Sequence, residues 1–334
     1  MKRTKGLRTS RVPRALIALA AASIGLTLAG FAATSATASS KPIITLATNS
    51  WQGSASNNVV AQYVIEHDLG YTVNLLTIDE IPTWPAMAKG SVSAVLEVWG
   101  HSNLYTQYVK GNHKVIDAGL EGPDGNIGWY IPTYLMKSHP ELATWKGLQK
   151  DWKLFVTPQS TPKGEFLEGS PSYVTYDSQI ITALGLKLKT IYAGTEAAQL
   201  AQVERIYRQH GAVLIYWYTP QYINALYKFS EIGFPNITKA CSKVTGVEAD
   251  CAYPPYYLYK AMSAQLPKQA PKVAAFIRRF HWTDADQNQV GYDIAVKGMS
   301  PTAAAAAFVK ANPTLVKSWL SGPYTATKAP APGS

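Results

Sequence analysis

The sequence predicts an α/β protein built on mostly parallel sheets flanked by helices, and three observations carry that prediction. Short apolar runs alternate with longer amphipathic stretches over residues 43–98, the alternation resumes near Gly128 and runs to Tyr216, and residues 258–320 read as helix. A strand that returns through a helix re-enters its sheet in the same direction, so the alternation implies parallel neighbours.

Residues 43–47 (IITLA) form a brief apolar run of the kind seen in buried strands. A helix follows, with Ser56 or Asn57 as cap, Val60, Tyr63, Val64 and Leu69 on one face and Gly70 at its end. Residues 71–76 give a second strand, the segment around 84–89 a short helix ending at Gly90, and residues 94–98 (AVLEV) a third strand. In the second series, residues 129–135 and 153–157 read as strands, 176–184 as helix, 188–192 as strand, 195–209 as a helix capped by Thr195, and 212–216 as a buried strand. The last portion divides into helices at 258–266, 272–280, 284–296 and 301–320.

With 334 residues, of which 47% are hydrophobic and 16% charged, the chain can bury one large core or two modest ones. Its 31 basic and 21 acidic residues give a formal charge of +10, which would suggest a polyanionic partner. Six of the basic residues lie within residues 1–38, which hold no acid, leaving a net of +4 for the rest. Those 38 residues combine a basic start, an apolar run over 15–33 and the small residues Ala36-Thr37-Ala38, the pattern of a cleaved secretory signal; a retained membrane anchor is the competing reading. Nucleic acid is therefore not an expected partner. The only cysteines, Cys241 and Cys251, exclude a lipoprotein with an N-terminal Cys and, in an exported chain, are expected to form one local disulfide. Residues 322–334 are expected to be a disordered tail.

Aromatic residues recur where strands end. Trp51 follows the first strand, Trp99 the third, Trp217 and Tyr218 end the last strand of the second series, and Trp129 and Tyr130 begin that series. Ligands of doubly wound sheets bind beyond the carboxyl ends of strands. Rings converging there suit a quaternary ammonium, which has no N–H to donate and is held by the negative faces of rings. A sugar could stack on the same rings, and a sugar-binding receptor or lectin is the alternative.

The motifs Trp51 with Gly53, Leu69-Gly70-Tyr71-Thr72-Val73, Ala88-Lys89-Gly90, Leu96-Glu97-Val98-Trp99, Gly128-Trp129-Tyr130-Ile131-Pro132 and Tyr216-Trp217-Tyr218-Thr219-Pro220 stand in an order and spacing that resembles the substrate-binding proteins of ABC importers for glycine betaine, choline and related osmoprotectants. The resemblance implies the two-lobed type II periplasmic-binding-protein fold, with lobe 1 at 41–131 plus 254–321 and lobe 2 at 132–253. It implies an extracytoplasmic, monomeric receptor that captures a quaternary ammonium, glycine betaine first, and hands it to a membrane-embedded permease and its ATPase, with no cofactor. The family's aromatic cage falls on Trp51, Trp99, Tyr173 and either Tyr218 or Trp217, with Trp129 and Tyr130 along the cleft or hinge. His101, Asn103 or the amides of residues 172–174 would orient the polar end. Glu97 is expected on the same side as Trp99, meeting either the ligand or a Lys or Arg.

No nucleophile elbow, phosphate-binding loop, zinc motif or dinucleotide fingerprint occurs, and the six histidines have no ligand spacing. Glu165 and Glu168 read as two solvated acids in a loop. A secreted hydrolase therefore ranks below both binding readings.

Overall fold

The computed structural model describes residues 41–235 and 252–324. The expected signal segment, Cys241 and Cys251, and residues 325–334 of the expected tail lie outside the described residues.

The first series folds as β1 (Ile44–Thr48), α1 (Gln52–His67), β2 (Val73–Thr77), α2 (Glu80–Lys89) and β3 (Ala94–Val98). Strand β1 pairs in parallel with both β2 and β3. After α3 (Ser102–Tyr105) comes the long β4 (Val115–Pro132), then α4 (Thr133–Ser138) and α5 (Trp145–Asp151). The second series is β5 (Gly164–Glu168), α6 (Asp177–Ala183), β6 (Leu188–Tyr192), α7 (Glu196–Arg208) and β7 (Ile215–Thr219), with β5 parallel to β6 and β7. Both series thus have the same topology, the first strand lying between the second and the third. The short β8 (Phe229–Glu231) pairs with β4, and β9 (Tyr256–Ser263) precedes α8 (Leu266–Gln269), α9 (Pro271–Arg279), α10 (Asp284–Ala295), α11 (Pro301–Ala311) and α12 (Pro313–Ser321).

The strand path is β2-β1-β3-β9-β4-β7-β5-β6. Its outer trios are parallel, and the strands that join them are antiparallel. Strand β4 belongs to neither trio and spans the join between them: it pairs with β9 through Gly125 and with β7 from Asn126 onward. One core, around Leu46, Val60, Phe276 and Trp319, lies under the first trio, and another, around Trp129, Phe166 and Leu188, under the second.

The structure departs from the sequence expectation at identifiable places. Residues 258–266 are mostly strand β9, not helix, because both edges of this Tyr-rich run are taken up by β3 and β4; a short apolar run does not reveal its own period. Lys260 within it is fully buried, its ammonium donating to the carbonyls of Leu120 and Phe280 at the end of α9, and burial lowers its pKa to about 7. Residues 153–157 hold a 3-10 turn (Trp152–Phe155) in place of a strand, and the strand expected at 129–135 is the end of β4, with helix from Thr133. Strand β7 starts later than expected, so Trp217 and Tyr218 lie inside it. The helix expected over 301–320 is broken at Pro313, which has no N–H to continue it. Helix α1 starts at Gln52, ahead of the expected cap. Its Ser54, Asn57 and Asn58 are buried and bonded to Asn49, Glu97 and Ala47 instead of capping the helix.

Candidate functional site

Each trio has a switch point, between β1 and β3 and between β5 and β7, where the chain leaves one central strand toward opposite sides. Four rings stand at or just beyond the carboxyl ends of these strands. Trp51 follows β1, Trp99 follows β3, Tyr173 lies in the loop after β5, and Tyr218 lies near the end of β7. With Glu80, Val174 and Tyr216 they line a narrow, partly open cavity of about 20 Å³. The rings meet edge to face in two matching pairs, Trp51 with Tyr173 (5.6 Å between centroids, 83°) and Trp99 with Tyr218 (5.2 Å, 82°). Each pair joins topologically equivalent positions of the two trios.

Hydrogen bonds behind the rings fix their orientation. Glu97 Oε1 accepts the indole N–H of Trp51 (2.7 Å) and of Trp99 (2.8 Å), while Oε2 accepts the amides of Asn57 (2.9 Å) and Gln287 (2.7 Å). Its four donors are two indoles and two amides, so the Lys or Arg partner expected for it is not among them. Burial raises its pKa, the Trp99 and Trp51 bonds pull it back, and the charge of Glu196 adds to the rise, leaving it at about 7. Gly125 is required beside Trp99, since any side chain there would run into the indole. The Tyr218 hydroxyl donates to Glu196 and accepts from Gln221 (2.9 Å).

Glu80, in the first turn of α2, is the carboxylate on the cavity wall. His101 Nε2 lies 3.0 Å from it. Burial opposes a charge on His101, but the facing carboxylate more than offsets this, so its pKa lies above the ordinary imidazole value. His101 adopts a left-handed backbone conformation (φ 61°) after β3. Among the described residues no Lys or Arg lines the cavity.

The other sequence-predicted residues lie elsewhere. Trp217 points to the opposite face of β7 from Tyr218, packs with the second trio's apolar residues and donates to Asn224 (2.9 Å). Trp129 is stacked on Phe166 in the core, its indole donating to Asp177. Tyr130 donates to Glu231 (3.2 Å), away from the cavity, and Asn103 is exposed on α3. The amides of Ser172 and Tyr173 donate to Ser170, ahead of α6, which begins at Asp177 close to the expected start. Glu165 and Glu168 are buried on β5, not solvated in a loop.

Sequence reasoning missed Tyr216 and Glu80. Tyr216 shares a face of β7 with Tyr218, so strand alternation could have found it; Glu80 carries no local signal that separates it from a helix-start acid.

A family profile described as the substrate binding domain of ABC-type glycine betaine transport system matches residues 42–311. The trimethylamine N-oxide-binding protein of Pelagibacter ubique (strain HTCC1062) is 28% identical over 271 residues, which cover 77% of this chain and 84% of that protein. Among solved structures, a Borrelia burgdorferi glycine betaine, L-proline ABC transporter binding protein superposes with a TM-score of 0.69 at 15% identity, covering 85% of this chain and 98% of that one. An ABC-transporter choline binding protein in complex with choline gives 0.68 at 16% identity, covering 86% and 95%. Lactococcal OpuAC, closed on glycine betaine, gives 0.65 at 16% identity, covering 84% and 100%.

Proposed function

The chain belongs to the family of substrate-binding domains of ABC-type glycine betaine transport systems, and from that premise we propose that its four-ring cavity captures a methylated ammonium. The family binds small solutes outside the cytoplasm for an ABC transporter and is not an enzyme family. Among the described residues no helix is long and apolar enough to cross a membrane.

The observation that carries the proposal is the convergence of Trp51, Trp99, Tyr173 and Tyr218 on one cavity whose wall, among the described residues, holds no Lys or Arg. A trimethylated nitrogen offers no N–H, so side-chain acceptors cannot hold it by hydrogen bonds; ring faces can, at about 0.5–2 kcal/mol per ring once water is excluded. The ligands named for the similar proteins, trimethylamine N-oxide, glycine betaine and choline, all carry such a nitrogen. On this wall the Glu80 carboxylate accepts from a ligand hydroxyl such as choline's, while a carboxylate end, as in glycine betaine, lies toward the His101 imidazole. After export the receptor, a monomer, delivers its cargo to a permease driven by an ATPase.

Isothermal titration against glycine betaine, proline betaine, choline, carnitine and trimethylamine N-oxide tests this. At least one should bind, and Trp99→Ala and Tyr218→Ala should each weaken it by about 3- to 30-fold, the equivalent of one ring. If both variants stay within about twofold of wild type for every compound, the cage is misplaced.

A further inference from the structure

The strongest unexplained group near the cavity never faces it. Resting on the cage reading above, we infer that Glu97 sets the charge selectivity of the cage: bonded to the indole N–H of both Trp51 and Trp99, its carboxylate holds the rings and makes their faces more negative, so the site prefers a cation to a neutral molecule of the same shape.

Buried carboxylates are ordinarily paired with a basic side chain. Glu97 is 1% exposed, and its four donors are two indoles and two amides, all uncharged. The charged groups facing it are acids, Glu196 on α7 and Glu121 on β4. Lys260 on β9 lies toward Glu121 and spends its protons on backbone carbonyls. The Glu97 charge is thus not cancelled locally. Charge-assisted bonds to an N–H polarise the group that donates, and in a low dielectric this reaches further than in water. Drawing the indole proton toward the carboxylate pushes electron density into the ring, and it is ring-face density that attracts a cation. The backbone is shaped around this arrangement: a side chain at Gly53 would collide with the Glu97 carboxylate and the Gln287 amide.

The test pairs choline with 3,3-dimethylbutan-1-ol, in which carbon replaces the quaternary nitrogen, and titrates both into wild-type protein and Glu97→Gln. Wild type should prefer choline by about tenfold or more, and Glu97→Gln should lose about tenfold for choline while the alcohol changes by less than about threefold. Glu97→Asp, which keeps the charge, should keep most of the preference. In the ligand-free protein the indole N–H resonances of Trp51 and Trp99 should move upfield in Glu97→Gln. Equal losses for both molecules, or unmoved resonances, overturn the inference and leave the cage intact. Wild-type protein that binds neither choline nor tetramethylammonium better than the alcohol overturns both.

Should Glu97→Gln not fold, wild-type protein decides. The preference for choline and the two indole shifts should rise with pH through one common midpoint, whereas a flat preference, or one that follows the Glu80–His101 pair instead, overturns the inference.

Discussion

Three consecutive aromatics on β7 have two fates. Tyr216 and Tyr218 face the cavity, while Trp217 lies on the other side against Leu200, Val203 and Ile223. Alternation along a strand requires that neighbours differ, which is why the sequence left Trp217 and Tyr218 open: it states the difference but not the phase. The phase comes from pairing, Tyr218 opposite Ile127 and Trp217 opposite Gly128 on β4. Trp217→Phe should therefore leave ligand affinity within about twofold and cost roughly 1–3 kcal/mol of stability, through the lost indole bond to Asn224 and the space left behind. Titration calorimetry and denaturant unfolding read the two effects separately. At Glu97 the expectation for pH has a definite sign. A cation stabilises the ionised carboxylate, so affinity for choline rises with pH through about 7, where burial places the group. Trp51 and Trp99 were legible because each sits one short step beyond an apolar strand. The four donors of Glu97 come from residues 51, 57, 99 and 287, and no local pattern links positions so far apart.

At the scale of elements, capping chemistry was the most readable signal. Thr195 accepts the Ala198 N–H at the start of α7, and Gly90 ends α2 in the left-handed region (φ 83°), both as expected; the capping box of Thr283 and Asp286 on α10 was not expected from the sequence. Strand β5 was not readable. Its buried Glu168 lies against Asp177 of α6; burial, then the Asp177 charge, raises its pKa to about 10. Since the folded value lies above the unfolded one, the stabilising share of the protonated carboxyl is full below about pH 4.5 and declines as pH rises toward about 10. Glu168→Gln should thus change little near pH 4 and raise the melting temperature at pH 8, by the equivalent of roughly 1–3 kcal/mol. A variant that is equally or less stable than wild type at pH 8 would show that the carboxyl is ionised in the folded protein. Strand β9 and the start of α1 were misread for a related reason. Their polar side chains, Lys260, Asn57 and Asn58, look solvent-facing in sequence but are bonded inside.

Over the whole molecule, one carboxylate ties the two trios together beside the cavity. The N-cap of α1 is Trp51, which has no oxygen to offer, and Glu196 at the start of α7 accepts the Gln52 N–H at 3.0 Å while its own N–H donates to Ser50 O at 3.2 Å. The same carboxylate accepts the Tyr218 hydroxyl. Helix start, the Tyr218 ring on the cavity wall and contact between the trios therefore depend on one side chain. Glu196→Ala should weaken choline and 3,3-dimethylbutan-1-ol alike, by about 2- to 30-fold, the range of a lost helix cap. That parallel loss, measured by calorimetry, would separate a residue that joins the trios from Glu97, for which the two ligands should diverge. Local pattern was sufficient for the strands and helices of residues 44–98, the caps at Thr195 and Gly90 and the rings beyond β1 and β3, because each depends on residues within a few positions of one another. The antiparallel seam of β4 and β9, the side of β7 that faces the cavity and the acids behind the rings depended on long-range pairing. A hydrogen bond between residues 97 and 287, or 52 and 196, exists only once the sheet has brought distant segments within reach.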